Sequence, residues 1–267
     1  MNNTKTVPIL RLTEQGFGNI NDVVARESAV TIVLNERELV TLLCSPTDLK
    51  YLAVGFLLSE GLLGSKDEIR RMTHDYRTDT VRVDTERDER PAGAAVSRRF
   101  VTSGCGGGVS FHTAADVVRG QAKIESGAEI STREVLALMK EFQHRSSTFI
   151  ATGGVHSAAL CDRNRILVFS EDIGRHNAID KVFGECILNE VPTGDRMLLT
   201  SGRVSSEIVL KAARRNVPII VSRSAPTDLG LRLADDLGVT LLGFVRGGRM
   251  NVYTHDWRIA RDGKQGC

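Results

Sequence analysis

The feature that most constrains this chain is an alternation between Ile166 and Thr254. Short apolar runs at Ile166–Ser170, Met197–Thr200, Val217–Ser222 and Val239–Val245 are separated by stretches of helical periodicity at Arg175–Leu188, Ser205–Arg215 and Thr227–Leu237, and Arg249–Thr254 reads as a last strand. Runs apolar at successive positions have both faces buried, so this pattern predicts a mostly parallel sheet covered by helices on both sides. In such sheets ligands sit beyond the C-terminal ends of the strands, where loops lead into helix N-termini.

The first hundred residues follow a different rule. From Val7 to about Val101 the pattern is mostly that of strands, with Ala29–Leu34 and Leu39–Cys44 predicted to form a hairpin about Asn35-Glu36. Pro46-Thr47-Asp48 opens a helix whose Leu49, Leu52, Ala53, Phe56 and Leu57 share a face, and Gly61 ends it. Residues 66–90 mix charges of both signs and read as a solvated hairpin or loop. Ser131 and Glu134 have the spacing of a capping box, with Val135, Leu136, Leu138, Met139 and Phe142 expected on one helical face behind them. The expected organisation is a smaller β-rich domain over residues 1–125 and an α/β domain over 126–267.

Charge excludes whole function classes. Lys and Arg number 35 against 33 for Asp and Glu, a net charge of +2. That balance does not fit a general nucleic-acid binder, so any anion site must be local. There is no run of about 18 apolar residues and no signal-peptide pattern at the start, so no membrane association and a cytoplasmic location are expected. The five cysteines form no C-x-x-C pair and no zinc-type spacing, so no metal ligands are assigned. Cys44, Cys161 and Cys186 stand in apolar stretches and read as core.

Local anion chemistry is what the strand-end loops offer. Gly202, Gly247 and Gly248 let backbone N–H groups approach a ligand, Ser201, Ser205, Ser222 and Ser224 are short donors, and Arg203, Arg223, Arg246 and Arg249 are forked cations. Neither G-x-x-x-x-G-K-[ST] nor G-x-G-x-x-G is present, so a P-loop or standard dinucleotide fold is not indicated. At the junction Glu171–Asp180, two readings stand: Glu171, Asp172 and His176 do acid–base work, or Asp172 caps the next helix while Arg175 and Asp180 pair along it. His156, beside Gly153-Gly154, is equally open between a ligand and a turn residue.

Cys105 differs from the other cysteines. It lies in Gly104-Cys105-Gly106-Gly107-Gly108, where a partner can approach the sulfur closely and backbone N–H groups can stabilise a thiolate, which describes a nucleophile or sulfur carrier as well as a plain flexible turn. Oxidant sensing is disfavoured because no resolving cysteine is near in sequence. A zinc deaminase would need H-x-E and P-C-x-x-C, and neither occurs.

Together Gly104-Cys105-Gly106, Ala151–His156, Glu171–Lys181 with its Gly-Arg-His-Asn-Ala block, Thr200–Arg203 and Phe244–Arg249 resemble the FdhD family of formate dehydrogenase accessory proteins, in order and over nearly the whole chain. The resemblance implies a cytidine-deaminase-like three-layer α/β domain and a homodimer. It further implies a sulfurtransferase-like carrier that takes sulfur from a cysteine desulfurase as a persulfide. That sulfur passes to the molybdenum or tungsten bis-guanine-dinucleotide cofactor, which then enters formate dehydrogenase. On this sequence the persulfide position falls on Cys105. The cofactor stretch falls on Phe244, Val245, Arg246, Gly247, Gly248 and Arg249, joined by Gly202, Arg203, Ser222 and Arg223, and GDP is the expected mimic of the cofactor. The family loop often has a second cysteine where this chain has Gly108; Cys267 at the chain end is a candidate substitute. A chaperone that binds the cofactor without carrying sulfur is the alternative reading.

Overall fold

Residues 2–86, 100–101 and 123–260 are described by the computed structural model. Among the described residues, strands β1 (Thr4–Thr13) and β2 (Gly16–Ala25) pair only with each other, as an antiparallel ribbon. Strands β3 (Ser28–Leu34) and β4 (Arg37–Cys44) form the expected hairpin. Asn35 (φ 48°) and Glu36 (φ 63°) are both left-handed, the backbone that a two-residue turn matching strand twist requires.

The hairpin belongs to a five-stranded sheet, in the order β5-β6-β3-β4-β7, with β5 (Ile69–Asp75), β6 (Thr80–Thr85) and β7 (Phe100–Val101). The charged stretch from residue 66 is therefore only partly solvated. Its strand β6 lies inside the sheet against β3, with Val81 and Val83 fully buried while Arg82 faces out. Within β6 the charges Arg82 and Asp84 alternate with Val81 and Val83, a strand period hidden by the density of charge along residues 66–90.

Helix α1 (Leu49–Ser59) covers this sheet with Leu52, Ala53, Phe56 and Leu57, and Gly61 (φ 71°) follows its end. Further on, β8 (Ile130–Ser131) leads into α2 (Thr132–Arg145). Ser131 accepts from Glu134 N (3.2 Å) and Glu134 accepts from Ser131 N (2.7 Å), which is the expected capping box. A short helix α3 (Ser147–Thr152) follows directly.

The second sheet has six strands in the order β10-β9-β11-β12-β13-β14: β9 (His156–Cys161), β10 (Ile166–Asp172), β11 (Met197–Thr200), β12 (Ile219–Ser222), β13 (Thr240–Arg246) and β14 (Arg249–Thr254). It is mixed rather than mostly parallel. Only β11–β12 and β12–β13 pair in parallel, because β9, hidden behind Gly153-Gly154, inserts antiparallel between β10 and β11. Strands β10 to β13 still run in one direction, so their C-terminal ends share an edge with the start of β9 and the start of β14.

Helices α4 (Arg175–Leu188), α5 (Ser206–Arg214) and α6 (Asp228–Asp236) bury their apolar faces on one side of this sheet, and Val135, Leu138, Met139 and Phe142 of α2 bury the other. The chain is therefore a mixed α/β structure. Helices α1 and α4 cross in close contact: a Cβ on Gly55 would lie 1.8 Å from Asp180 O, and one on Gly184 would lie 1.9 Å from Tyr51 O. Only glycine permits that approach. No helix among the described residues is long and apolar enough to cross a membrane.

Candidate functional site

Two kinds of charged residue meet at the shared edge of the six-stranded sheet. The first kind is sealed. Asp172, fully buried at the end of β10, accepts from Gly174 N (2.8 Å) and Asn177 Nδ2 (3.0 Å) on one oxygen, and from Ser45 N (3.0 Å) and Lys181 Nζ (2.7 Å) on the other. Lys181 also donates to Ser45 O (3.1 Å) and Asn177 to Leu43 O (2.9 Å), tying the end of β4 to α4. Four donors leave that carboxylate nothing with which to do chemistry. Glu171 accepts from Thr148 N and Phe149 N (both 3.0 Å), so it holds the start of α3. Asp180 is bound by Lys211 Nζ and Ser59 Oγ, not by Arg175 along its own helix. Glu171, Asp172 and Asp180 are structural.

The second kind faces the loops. His156 starts β9 opposite Asp172, and its Nδ1 lies 3.2 Å from Ser201 Oγ, which accepts from Ser157 N (3.0 Å). Burial, and then the positive charges of Arg175, His176 and Arg203, lower its pKa below the usual histidine value. Gly202 is where a side chain would strike Arg175: a Cβ there would lie 2.9 Å from Arg175 Cβ. The missing side chain lets the Thr200–Ser205 loop close over the start of α4. His176 Nε2 lies 2.9 Å from Glu207 Oε2, and this close contact holds the Glu207 carboxyl below its ordinary range.

The neighbouring loops are stitched to each other. Ser222, fully buried, donates to Gly202 O (2.7 Å) and accepts from Ser224 N (2.9 Å), while Arg223 N donates to Thr200 O (3.1 Å). Ser222 therefore shapes the site from within, its hydroxyl already engaged. Phe244 (φ 53°) donates its N–H to Ser224 O (3.0 Å) at the irregularity between β13 and β14, and the Arg246 guanidinium lies 5.7 Å from the centre of its ring. Val245 points into the core and packs rather than binds. Gly247 (φ 59°) and Gly248 (φ 76°) make the two-residue turn that sets Arg246 opposite Arg249, both exposed. Ser205, the residue before α5, makes no capping hydrogen bond, and its buried hydroxyl has no partner among the described residues.

The structure thus brings Gly202, Ser222 and Arg223 into one hydrogen-bonded unit, next to Arg203 and the Phe244–Arg249 turn. It adds His156, Ser201 and Arg175, which composition alone did not single out as a group. The signal for His156 was present in the uncharged, wholly buried Ser157–Cys161 run behind it, masked by the glycines. Cys105, Gly108 and Cys267 lie outside the described residues. Cys44 and Cys186 are buried, and burial pushes both thiols up to about 12; burial also raises Cys161. These three are inert at neutral pH, as expected of core residues.

Fold and site define a mixed α/β protein whose strand-end loops gather arginines, histidines, glycines and serines at one sheet edge, a set suited to oxyanions. The chain belongs to the FdhD/NarQ family, whose model matches residues 25–260. It is 44% identical to the sulfur carrier protein FdhD of Bacillus subtilis (strain 168), over 92% of this chain and 94% of that one. It is 40% identical to the protein of the same name from Geobacillus kaustophilus (strain HTA426), over 96% and 97% respectively. A solved Desulfotalea psychrophila structure, assigned as a formate dehydrogenase accessory protein, superposes with a TM-score of 0.80 at 27% identity, covering 97% of this chain and 100% of that one.

Proposed function

We propose that this protein is a sulfur carrier for formate dehydrogenase maturation: Cys105 receives sulfur as a persulfide and passes it to a molybdenum or tungsten bis-guanine-dinucleotide cofactor held as cargo at the strand-end loops. The observation that carries the cargo half is the convergence of Arg203, Arg223, Arg246 and Arg249 with the Gly202 and Gly247-Gly248 turns at one edge. Pyrophosphate needs that kind of forked, backbone-rich setting. The carrier half rests on the relatives' name and on the glycine loop around Cys105.

The loading step balances without an outside redox partner. The Cys105 thiolate attacks the outer sulfur of a desulfurase persulfide, a new S–S bond forms at Cys105, and the desulfurase thiolate leaves. In delivery a thiol co-reactant attacks the inner sulfur of the Cys105 persulfide and the outer sulfur leaves as sulfide for the cofactor; a second thiol then opens the mixed disulfide on Cys105, so that the free Cys105 thiol and a disulfide of the co-reactant are the other products.

The remaining readings belong with this one. The sheet flanked by helices on both faces supports a cytidine-deaminase-like layer, used here without that class's metal motif. The five-stranded sheet draws on residues 28–101 and the six-stranded sheet on 156–254, which supports the division at 125/126. We take the working form to be a cytoplasmic homodimer that meets a cysteine desulfurase and formate dehydrogenase.

The test is intact mass, recorded without reductant after incubation with a cysteine desulfurase and cysteine. Gain of one sulfur atom, reversed by reductant and lost in Cys105→Ala but not in Cys267→Ala, is the expected result. No gain by a protein that still binds GDP would replace the carrier with the chaperone that only shelters the cofactor.

A further inference from the structure

The β1–β2 ribbon carries a surface that the sulfur-transfer reading leaves unused. Its register divides the side chains between two faces. One face holds Thr4, Thr6, Pro8, Leu10 and Leu12, opposite Ala25, Val23, Asn21, Asn19 and Phe17. The other holds Lys5, Val7, Ile9, Arg11 and Thr13, opposite Val24, Asp22, Ile20, Gly18 and Gly16; there Val7, Ile9 and Ile20 are half-buried, and Arg11 and Asp22 pair at 3.6 Å. The first face has no charge anywhere, yet Phe17 is 81% exposed, Leu12 72% and Leu10 57%. At its foot the Ala25 side chain abuts Gly154, just past α3, where Ile150 is 67% exposed and Phe149 is also open.

An isolated two-stranded ribbon is marginal in water, and it does not keep large apolar side chains exposed on a charge-free face without a partner. We infer that this uncharged face, with Phe149 and Ile150 at its foot, is the surface on which a second copy of the chain docks. Three observations select a second copy over another protein. Across a two-fold axis each side chain near the axis meets its own copy, so a charge there would face a like charge, and this face has none. Its polar members are threonines and asparagines, which both donate and accept and so can pair with themselves. The area also fits. The exposed parts of Leu10, Leu12, Phe17, Phe149 and Ile150 come to roughly 600 Å² of apolar side chain per protomer, and the flanking threonines and asparagines bring the face near the ~800 Å² per partner of a standard interface.

This inference rests on the homodimer reading above, and the experiment separates the two. Light scattering on size-exclusion eluates and sedimentation are run on the wild type, on Leu12→Ser with Phe17→Ser, and on Arg11→Ser from the opposite face, with thermal melts beside them. The expected result is a dimeric wild type, a dimeric Arg11→Ser, and a double variant whose dimer dissociates at least 100-fold more readily while its melt under monomeric conditions is unchanged. A double variant as dimeric as wild type would overturn the ribbon face while leaving the homodimer standing. A monomeric wild type would remove the homodimer reading and this surface together.

Discussion

Asp172–Lys181 and Asp180–Lys211 stand on the strand end and helices that adjoin the arginine-bearing loops, and they too are built from charged side chains. The difference is in what remains unspent. The buried carboxylates are spent on internal partners, with four donors on Asp172 and with Lys211 and Ser59 on Asp180. Arg246, Arg249 and the Gly247-Gly248 turn stand exposed. A charged cluster near a strand end is therefore a clamp or a site according to its burial and partners, not its composition.

The sharpest way to break this comparison is to unseal the clamp. Lys181→Met leaves Asp172 buried without its cation, and a loss of about 3–5 kcal/mol in folding stability is expected by chemical denaturation. An unchanged denaturation midpoint would mean that the pair is not sealed. Gly184→Ala acts on the same helix contact, pushing a methyl group into the Tyr51 carbonyl; a loss of about 1–3 kcal/mol or more is expected, from overpacking alone.

Changes on the open side should do the reverse. Arg249→Lys keeps the charge but loses the fork, so GDP affinity by calorimetry should fall roughly tenfold while stability stays within about 0.5 kcal/mol of wild type. Unchanged affinity would remove Arg249 from the site. The smallest expected effect lies at His156. Its folded pKa is below the ordinary 6.5, so as pH falls through 6.5 the unfolded chain takes up a proton that the folded chain resists. Stability should therefore decline on acidification from pH 7 until the folded histidine also protonates. His156→Gln should flatten that part of the curve in a series of melts.

Much of this was readable from residues alone. The helix over Arg175–Leu188, the strand over Met197–Thr200, the capping box at Ser131–Glu134 and the turn at Asn35-Glu36 are local features, set by periodicity and by backbone conformations that neighbouring residues dictate. Strand β9 and the buried alternation of β6 were not read, because glycines in one case and surface charges in the other hid their period. The ribbon's uncharged face was equally invisible before its register was known, since its residues interleave with Lys5, Arg11 and Asp22 along the chain.

The sequence by itself determined the α/β alternation, the position of the strand-end loops and the chemical character of their side chains, because each depends on neighbours within a few residues. Only the tertiary structure decided that the sheet is mixed, that Asp172 and Asp180 are spent on Lys181 and Lys211, and that His156 joins Arg175 and Arg203. Those outcomes depend on which groups lose water together, and contacts such as Ser45 with Asp172, 127 residues apart, are made only when the chain closes on itself.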